Sequence, residues 1–268
     1  MSILWQKYNF LSPINCLIDV PIQVYDIRKA NISVLREKGI ITQSDYDSLY
    51  LADKMYREIF IGKLLGNDPS ASKILADGII DAKRLFFEAN NIEDRDILEI
   101  NNDAVYIIGS KSIKIQQFSH FIYFNQAESY TSFYNVKNIR FYYYCNRINK
   151  TEYLNPKGMA KSVIYHEQYM IDFLKALFYT AQFEGIQKAL ELLSSFYSQY
   201  ISRSLNIGFY RNLNSSSKFS IKSFDRYADY QTDIVTANMI NLIDISYNEK
   251  VLREFNKLLT EKYFNRYR

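Results

Sequence analysis

The sequence predicts an α+β fold: an antiparallel sheet with a helical insertion, then a β-rich segment, then a mainly helical C-terminal region. Short apolar runs bounded by turn residues predict strands between residues 16 and 145. Apolar residues that recur every three or four positions predict two helices before residue 110 and three after residue 150. We therefore divide the chain into residues 1–110, 111–150 and 151–268.

The strands of the first segment contain its most informative residues. The run Cys16–Ile27 is apolar and rich in β-branched side chains, and Pro21 restricts its first half to a sheet edge or a break. Residues 96–109 have the pattern of a β-hairpin: a strand, a tight Asn-Asn turn and a second strand.

Two predicted helices lie between these strands. Ser44 and Asp47 have the spacing of a capping box and open a helix that continues to residue 65. Ser70 opens a second helix that stops at Asn90 or Asn91. The apolar face of this second helix comprises Leu75, Ile79, Ala82 and Phe86.

The remaining elements follow the same two periodicities. Four short strands are predicted in the second segment, with the sequences IKIQQF, HFIYF, SYTSFY and IRFYYY. Helices are predicted over residues 165–183, 186–205 and 248–264. Gly185 makes the turn between the first two so short that they are expected to pack antiparallel.

Composition excludes several chemistries. Cys16 and Cys145 are too few for a disulfide framework or a clustered thiol site. His120 and His166 cannot build a histidine-rich zinc centre, and neither lies in a hydrolase signature. The eight glycines form no dinucleotide-binding or phosphate-binding loop. A net charge of +4 permits a polyanionic partner without requiring one.

No stretch of the sequence predicts a membrane segment. The first 21 residues contain Lys7, Pro13 and Asp19, which interrupt any signal-peptide core, and later apolar runs are too short to span a bilayer. The bias towards Ile, Asn, Lys and Tyr is typical of an AT-rich genome and of bacteriophage proteins. We expect a cytoplasmic protein, in the cytoplasm of the host cell if a phage encodes it.

Two aspartates stand at the ends of predicted strands. Asp26 ends one apolar strand, and Asp103 follows the hairpin turn at the start of another. If these strands are neighbours, both carboxylates reach one edge of the sheet, where they can bind two divalent cations for phosphoryl transfer. Alternatively, Asp26 caps the junction with a short helix and Asp103 is an ordinary turn residue.

These residues carry a resemblance to the template-directed polymerases of families A and B. YDIRKANISVL resembles motif A of the palm, and NNDAVYI resembles motif C, closest to the Asp-Thr-Asp-Ser type. Between them, KMYREIFIGKLLG resembles the fingers helix, whose basic residues face the incoming triphosphate. The resemblance covers roughly residues 1–110 and implies a palm-like core with a short fingers-like insertion, followed by a thumb-like helical region.

The resemblance also implies roles for individual residues. Asp26 and Asp103 would be catalytic residues and ligands of Mg²⁺ or Mn²⁺. The implied phosphate-binding and sugar-binding residues are Lys54, Arg57 and Lys63, and Ala30 or Asn31, respectively. The alternative for the three basic residues is a solvated helix face.

The hairpin departs from the family pattern. In the family-B form it carries two aspartates that flank one residue, whereas here Asn101 and Asn102 precede a single acid. Glu99 lies two residues back along the strand, on the same face as Asn101, and is the candidate for the missing metal ligand. The fingers-like helix also lacks the usual Tyr-Gly ending.

The expected function is therefore a nucleic-acid polymerase or related nucleotidyltransferase that acts by two-metal phosphoryl transfer on nucleotides and a primer-template or single strand. The alternative is a non-catalytic nucleic-acid-binding protein, or a replication or transcription accessory protein, that has a degenerate palm-like fold and protein partners. A third carboxylate close to Asp26 and Asp103 would favour catalysis.

Basic and aromatic residues outside the first segment offer a further nucleic-acid surface. The rings between Tyr123 and Tyr144 are either stacking platforms for bases or ordinary core. The basic residues that could follow a phosphate backbone are Lys150, Lys157, Lys161, Arg203, Arg211 and Lys218.

Overall fold

The fold was established from a computed structural model, which describes residues 3–159, 168–213, 219–223, 226–230 and 240–265. These residues confirm the predicted α+β class. The described helices are α1 (Ala30–Glu37), α2 (Gln43–Leu51), α3 (Lys54–Asn67), α4 (Pro69–Ala89), α5 (Gln168–Phe183), α6 (Ile186–Ile201) and α7 (Ser246–Asn265). His166, Lys161 and Lys218 lie outside the described residues.

The described strands form one seven-stranded antiparallel sheet, of order β1-β3-β4-β2-β5-β6-β7, and a separate two-stranded hairpin, β8-β9. The strands of the large sheet are β1 (Asn9–Leu11), β2 (Cys16–Ile27), β3 (Ile97–Asn101), β4 (Ala104–Ile108), β5 (Phe124–Val136), β6 (Ile139–Asn146) and β7 (Thr151–Lys157). The strands of the hairpin are β8 (Phe219–Ser223) and β9 (Arg226–Tyr230).

The chain folds into two compact units, and each unit is built from two stretches of sequence. The first unit comprises Met1–Pro13 and Pro21–Ser129, and the second comprises Ile14–Val20 and Tyr130–Arg268. The division into residues 1–110, 111–150 and 151–268 stays a prediction.

In the first unit, β2 pairs with β4, and β4 pairs with β3, which confirms the predicted hairpin. The strand β2 is continuous through Pro21, which excludes the break, and residues 16–20 lie outside the pairing with β4, which agrees with the other alternative, a sheet edge. Pairing with β4 begins at Ile22, one residue after the proline, so that the missing N–H of Pro21 removes no bond of that ladder. The carbonyl of Pro21 accepts a hydrogen bond of 2.7 Å from the Gly109 amide.

The predicted helix over residues 44–65 is two helices, α2 and α3. Thr42, not Ser44, caps α2 through a reciprocal pair of bonds with Asp45. Ala52 has an extended backbone, and the Asp53 carboxylate then accepts a hydrogen bond of 2.8 Å from the Tyr56 amide, which starts α3. A single helix would leave this aspartate without its capping bond.

The helix α4 is close to its prediction, although Asp68 rather than Ser70 caps it. Its predicted apolar face is buried in the core of the first unit, and Asn90 is the residue at its C-terminal end. This core also contains alternate residues of the sheet, including Tyr25 and Val105, which pair across β2 and β4.

The predicted strands IKIQQF and HFIYF are wrong: residues 111–123 form a loop with one isolated bridge, between Gln117 and Tyr123. The buried side chain of Asn90 supplies the backbone partners that a neighbouring strand would otherwise provide. Its Oδ1 accepts from the amides of Lys114 and Ile115 at 2.9 and 3.0 Å, and its Nδ2 donates to the Ile115 carbonyl at 2.7 Å.

In the second unit, α5, α6 and α7 confirm the three predicted helices, while β7 and the hairpin β8-β9 lie in a segment predicted as mainly helical. Much of the tyrosine-rich stretch is core. Tyr130, Tyr134, Tyr142 and Tyr143 each have at most 1% of their surface exposed, so they offer no face to a base. Among the described helices, none is long and apolar enough to span a membrane.

Candidate functional site

Asp26 and Asp103 lie on neighbouring, paired strands of the first unit, which is the condition that the sequence interpretation set. Asp26 is one residue from the end of β2 and pairs with Ala104, the residue that follows Asp103. The predicted Asn-Asn turn is wrong by one residue: Asn101 ends β3, the turn is Asn102-Asp103, and β4 begins at Ala104. Asn102 makes this tight turn possible because it adopts a left-handed backbone with φ of +55°.

The two carboxylates interact electrostatically. Burial raises the pKa of Asp26 above its ordinary value, and the negative charges of Asp103 and Glu128 raise it further. Burial also raises the pKa of Asp103, while the positive charges of Lys83 and Lys54 act in the opposite direction. The site therefore holds like charges near one another, an arrangement that a bound cation would stabilise.

Two glutamates are candidates for a third carboxylate close to Asp26 and Asp103. Glu99 pairs with Tyr106, and Val24 also pairs with Tyr106, so Glu99 lies on the same face of the sheet as Asp26. Glu99 is buried, with 1% of its surface exposed, and its role as a ligand stays a prediction. The second glutamate is Glu128, on β5, whose negative charge raises the pKa of Asp26. The sequence interpretation missed Glu128 because its position depends on which strands lie side by side.

A pocket of about 450 Å³ opens beside Asp103 in the first unit. It brings together five of the residues singled out from the sequence: Ala30, Asn31, Lys54, Arg57 and Asp103. The other lining residues are Tyr8, Lys29, Ile32, Glu58, Ile61, Ile79 and Asn102. Most of the lining side chains are polar or charged, and Ala30, Ile32, Ile61 and Ile79 are the apolar ones, so the pocket suits a charged, polar ligand.

The cations of the pocket are Lys29, Lys54 and Arg57. The Lys54 ammonium is 3.6 Å from the Glu58 carboxylate, an exposed pair worth little energy and easily exchanged for a ligand. The Arg57 guanidinium donates to the Ala52 carbonyl at 2.5 Å, which orients it. Burial lowers the pKa of Lys29, and the nearby charge of Arg57 lowers it further, so these two cations are close together. Lys63 lies farther along α3 and is not part of the lining.

Lys83 is a residue that the sequence interpretation missed. It has no exposed surface, and its ammonium donates to the Lys7 carbonyl at 2.6 Å. Burial lowers the pKa of Lys83 to about 8, while the charge of Asp103 opposes this shift. A sequence signal existed, because Lys83 stands four residues after Ile79 on the apolar face of α4.

The carboxylate oxygens of Asp26 and Asp103 are the kind of ligand that Mg²⁺ prefers. Among the residues that the structure describes, no group of three or more His, Cys, Asp or Glu side chains is arranged to hold a metal. Magnesium prefers oxygen ligands and commonly uses one or two carboxylates together with the phosphates of a substrate. Asp26 and Asp103 therefore fit an ion that arrives with a phosphorylated substrate rather than one held in a closed protein cage.

The fold and site define an α+β protein in which one of two interacting aspartates lines a cationic pocket. The chain belongs to the family of the bacteriophage PBS1 gene 130 protein, whose model matches residues 1–260. This membership supports the bacteriophage origin expected from the composition. Among curated proteins, no match to the chain was found.

Proposed function

We propose that the first unit is a nucleotidyltransferase of the polymerase type that depends on Mg²⁺ or Mn²⁺. The observation that carries the proposal is the pocket itself, in which Asp103, paired electrostatically with Asp26, shares a wall with Lys54 and Arg57. Lys54, Arg57 and Asp103 are far apart in the sequence and line one pocket, which supports the proposal. The substrates are nucleotides and a primer-template or single strand.

Each part of the pocket has a chemical task in this proposal. Asp103 and Asp26, which lies outside the pocket lining, would hold the ion, which when bound would neutralise phosphate charge and lower the pKa of the attacking hydroxyl. Lys54 and Arg57 bind the phosphates, and Arg57 does so with a planar fork of N–H donors. Ala30 leaves space for the sugar, and the amide of the neighbouring Asn31 supplies a donor and an acceptor. The protein mostly positions the reactants.

The test is extension of a fluorescent primer on DNA and RNA templates with Mg²⁺ or Mn²⁺. Asp26→Asn and Asp103→Asn should each abolish extension. Asp172→Asn, an exposed helix residue of the second unit, is the matched control and should leave extension unchanged. Extension that survives in both site variants, or that proceeds in the presence of a chelator, would refute the proposed site.

A second candidate is a non-catalytic nucleic-acid-binding or accessory protein of a phage replication or transcription complex. The observation in its favour is the single acid of the hairpin turn, together with the lack of a three-acid metal cluster in the described part of the chain. This candidate predicts no extension by the intact protein. It also predicts salt-sensitive binding to the same primer-template that neither aspartate variant alters.

A further inference from the structure

Tyr8 is the aromatic side chain of the pocket. Among the lining residues that the structure describes, it alone has a ring, and it retains 37% of its surface exposed. It belongs to none of the motifs that were identified in the sequence, because it lies just before the short strand β1. Its position beside Asp103 depends on the pairing of β1 with β3.

The backbone around Tyr8 is fixed from two sides. The Lys83 ammonium donates to the carbonyl of Lys7 at 2.6 Å, and the Asn102 amide donates to the carbonyl of Tyr8 at 3.0 Å. The Lys83 ammonium also lies 5.5 Å from the centre of the Tyr8 ring. These two bonds limit the backbone freedom that Tyr8 would lose when a ligand binds to its ring, which favours affinity.

The lining of the pocket contains two chemically different kinds of side chain. Lys54 and Arg57 provide positive charge for phosphates, whereas Tyr8 adds a flat aromatic surface to an apolar floor that includes Ile61 and Ile79. A volume of about 450 Å³ is in the range of small-molecule sites. A nucleotide combines groups that match both kinds, a polyanionic phosphate chain and a flat base.

We propose that Tyr8 contacts the substrate directly, by stacking its exposed ring on the base of a nucleoside triphosphate whose phosphates bind Lys54 and Arg57. This inference rests on the proposed function and deepens it, since it assigns to Tyr8 the contact with the base of the nucleotide. Stacking of this kind tolerates different bases because every base has a flat π face.

The experiment compares two probes by calorimetry on the full chain in the presence of Mg²⁺: ATP, and inorganic tripolyphosphate, which lacks the base. The wild-type protein should bind ATP more tightly than tripolyphosphate. Tyr8→Leu should weaken ATP binding about tenfold and leave tripolyphosphate binding unchanged, while Tyr8→Phe should retain both affinities. Tyr56→Leu, an exposed tyrosine of α3 outside the lining, is the matched control.

Other outcomes overturn the inference. Equal weakening of both probes by Tyr8→Leu would show that Tyr8 only supports the pocket, and no weakening would show that it does not touch the base. If Tyr8→Leu fails to fold, equal affinity of the wild-type protein for the two probes refutes stacking without any variant.

The same experiment separates this inference from the proposed function. ATP binding that depends on Tyr8, without primer extension, would sustain the inference and refute the transferase. Metal-dependent extension with ATP binding unaffected by Tyr8→Leu would sustain the transferase and refute the inference about Tyr8. If the wild-type protein binds neither probe, the pocket is not a nucleotide site, and both the proposed transferase and the inference about Tyr8 are refuted.

Discussion

Lys83 places a titrating amine inside the first unit, where its ammonium bonds to the Lys7 carbonyl. Its pKa in the folded protein is about 8, below the value of 10.5 expected for the unfolded chain. Between these two values the unfolded chain binds more protons than the folded protein. The free energy of unfolding therefore rises with pH across this window.

The variant Lys83→Met removes this proton linkage. We expect the free energy of unfolding of the wild-type protein, relative to that of the variant, to rise from pH 8 to pH 10.5. The slope should approach about 1.4 kcal/mol per pH unit. Urea denaturation of both proteins at several pH values measures this difference. Parallel pH profiles would mean that Lys83 titrates in the folded protein as it does in the unfolded chain.

The raised pKa of Asp26 makes a different prediction. Because the folded protein binds this proton more tightly than the unfolded chain does, the ionised pair costs stability at neutral pH. Asp103→Asn should lower the pKa of Asp26, because it removes one of the negative charges that raise it. Addition of Mg²⁺ should raise the melting temperature of the wild-type protein and not that of the variant.

Thermal melts with Mg²⁺ and with a chelator test this pair of effects, and carboxyl NMR titration follows the pKa of Asp26. Asp172→Asn serves as the exposed control. An equal Mg²⁺ response in wild type and Asp103→Asn would place the ion elsewhere.

The elements that could be predicted from sequence are those whose signals are local. The periodicity of α4, the strand before Asp26 and the hairpin that holds Asp103 all follow from neighbouring residues. The failures depend on contacts between distant residues. Asn90 converts a strand-like stretch into a loop, and Glu128, Lys83 and Tyr8 approach Asp26 or Asp103 only after the strands and α4 have packed.

The role of Asn90 can be measured directly. Asn90→Ala removes three hydrogen bonds between the buried Asn90 side chain and the backbone of residues 114 and 115, so we expect a loss of about 1–3 kcal/mol in the free energy of unfolding. Hydrogen exchange of those two amides should accelerate. Asn67→Ala, an exposed position at the end of α3, should change stability by no more than about 0.5 kcal/mol. Unchanged protection of the two amides in Asn90→Ala would contradict this account.

At the scale of the whole molecule, the second unit depends on a short stretch from early in the chain. Residues 14–20 supply Cys16 to its core, and the Asn15 carbonyl accepts from the Asn135 amide at 2.8 Å. The Asp19 carboxylate accepts from the Gln182 side chain at 3.2 Å. Without these seven residues, the second unit would lose part of its sheet and of its core.

A fragment of residues 130–268 should consequently lack the sharp, cooperative urea transition that we expect of the full chain. Near-ultraviolet circular dichroism should show poorly ordered tyrosines in this fragment. A matched fragment in which residues 14–20 are joined through a flexible linker should regain both properties. Cooperative unfolding of the unlinked fragment would show that the early stretch is dispensable.

The division of each unit between two stretches also has a consequence for synthesis on the ribosome. All residues of the first unit have been made once Ser129 emerges, whereas the second unit can be completed only after its long C-terminal part appears. In the interval, the strand residues 16–20 expose backbone groups that have no partner from their own unit. The nascent chain is therefore most vulnerable to mispairing before Tyr130–Arg268 is complete, and slow translation of that stretch would prolong the exposure.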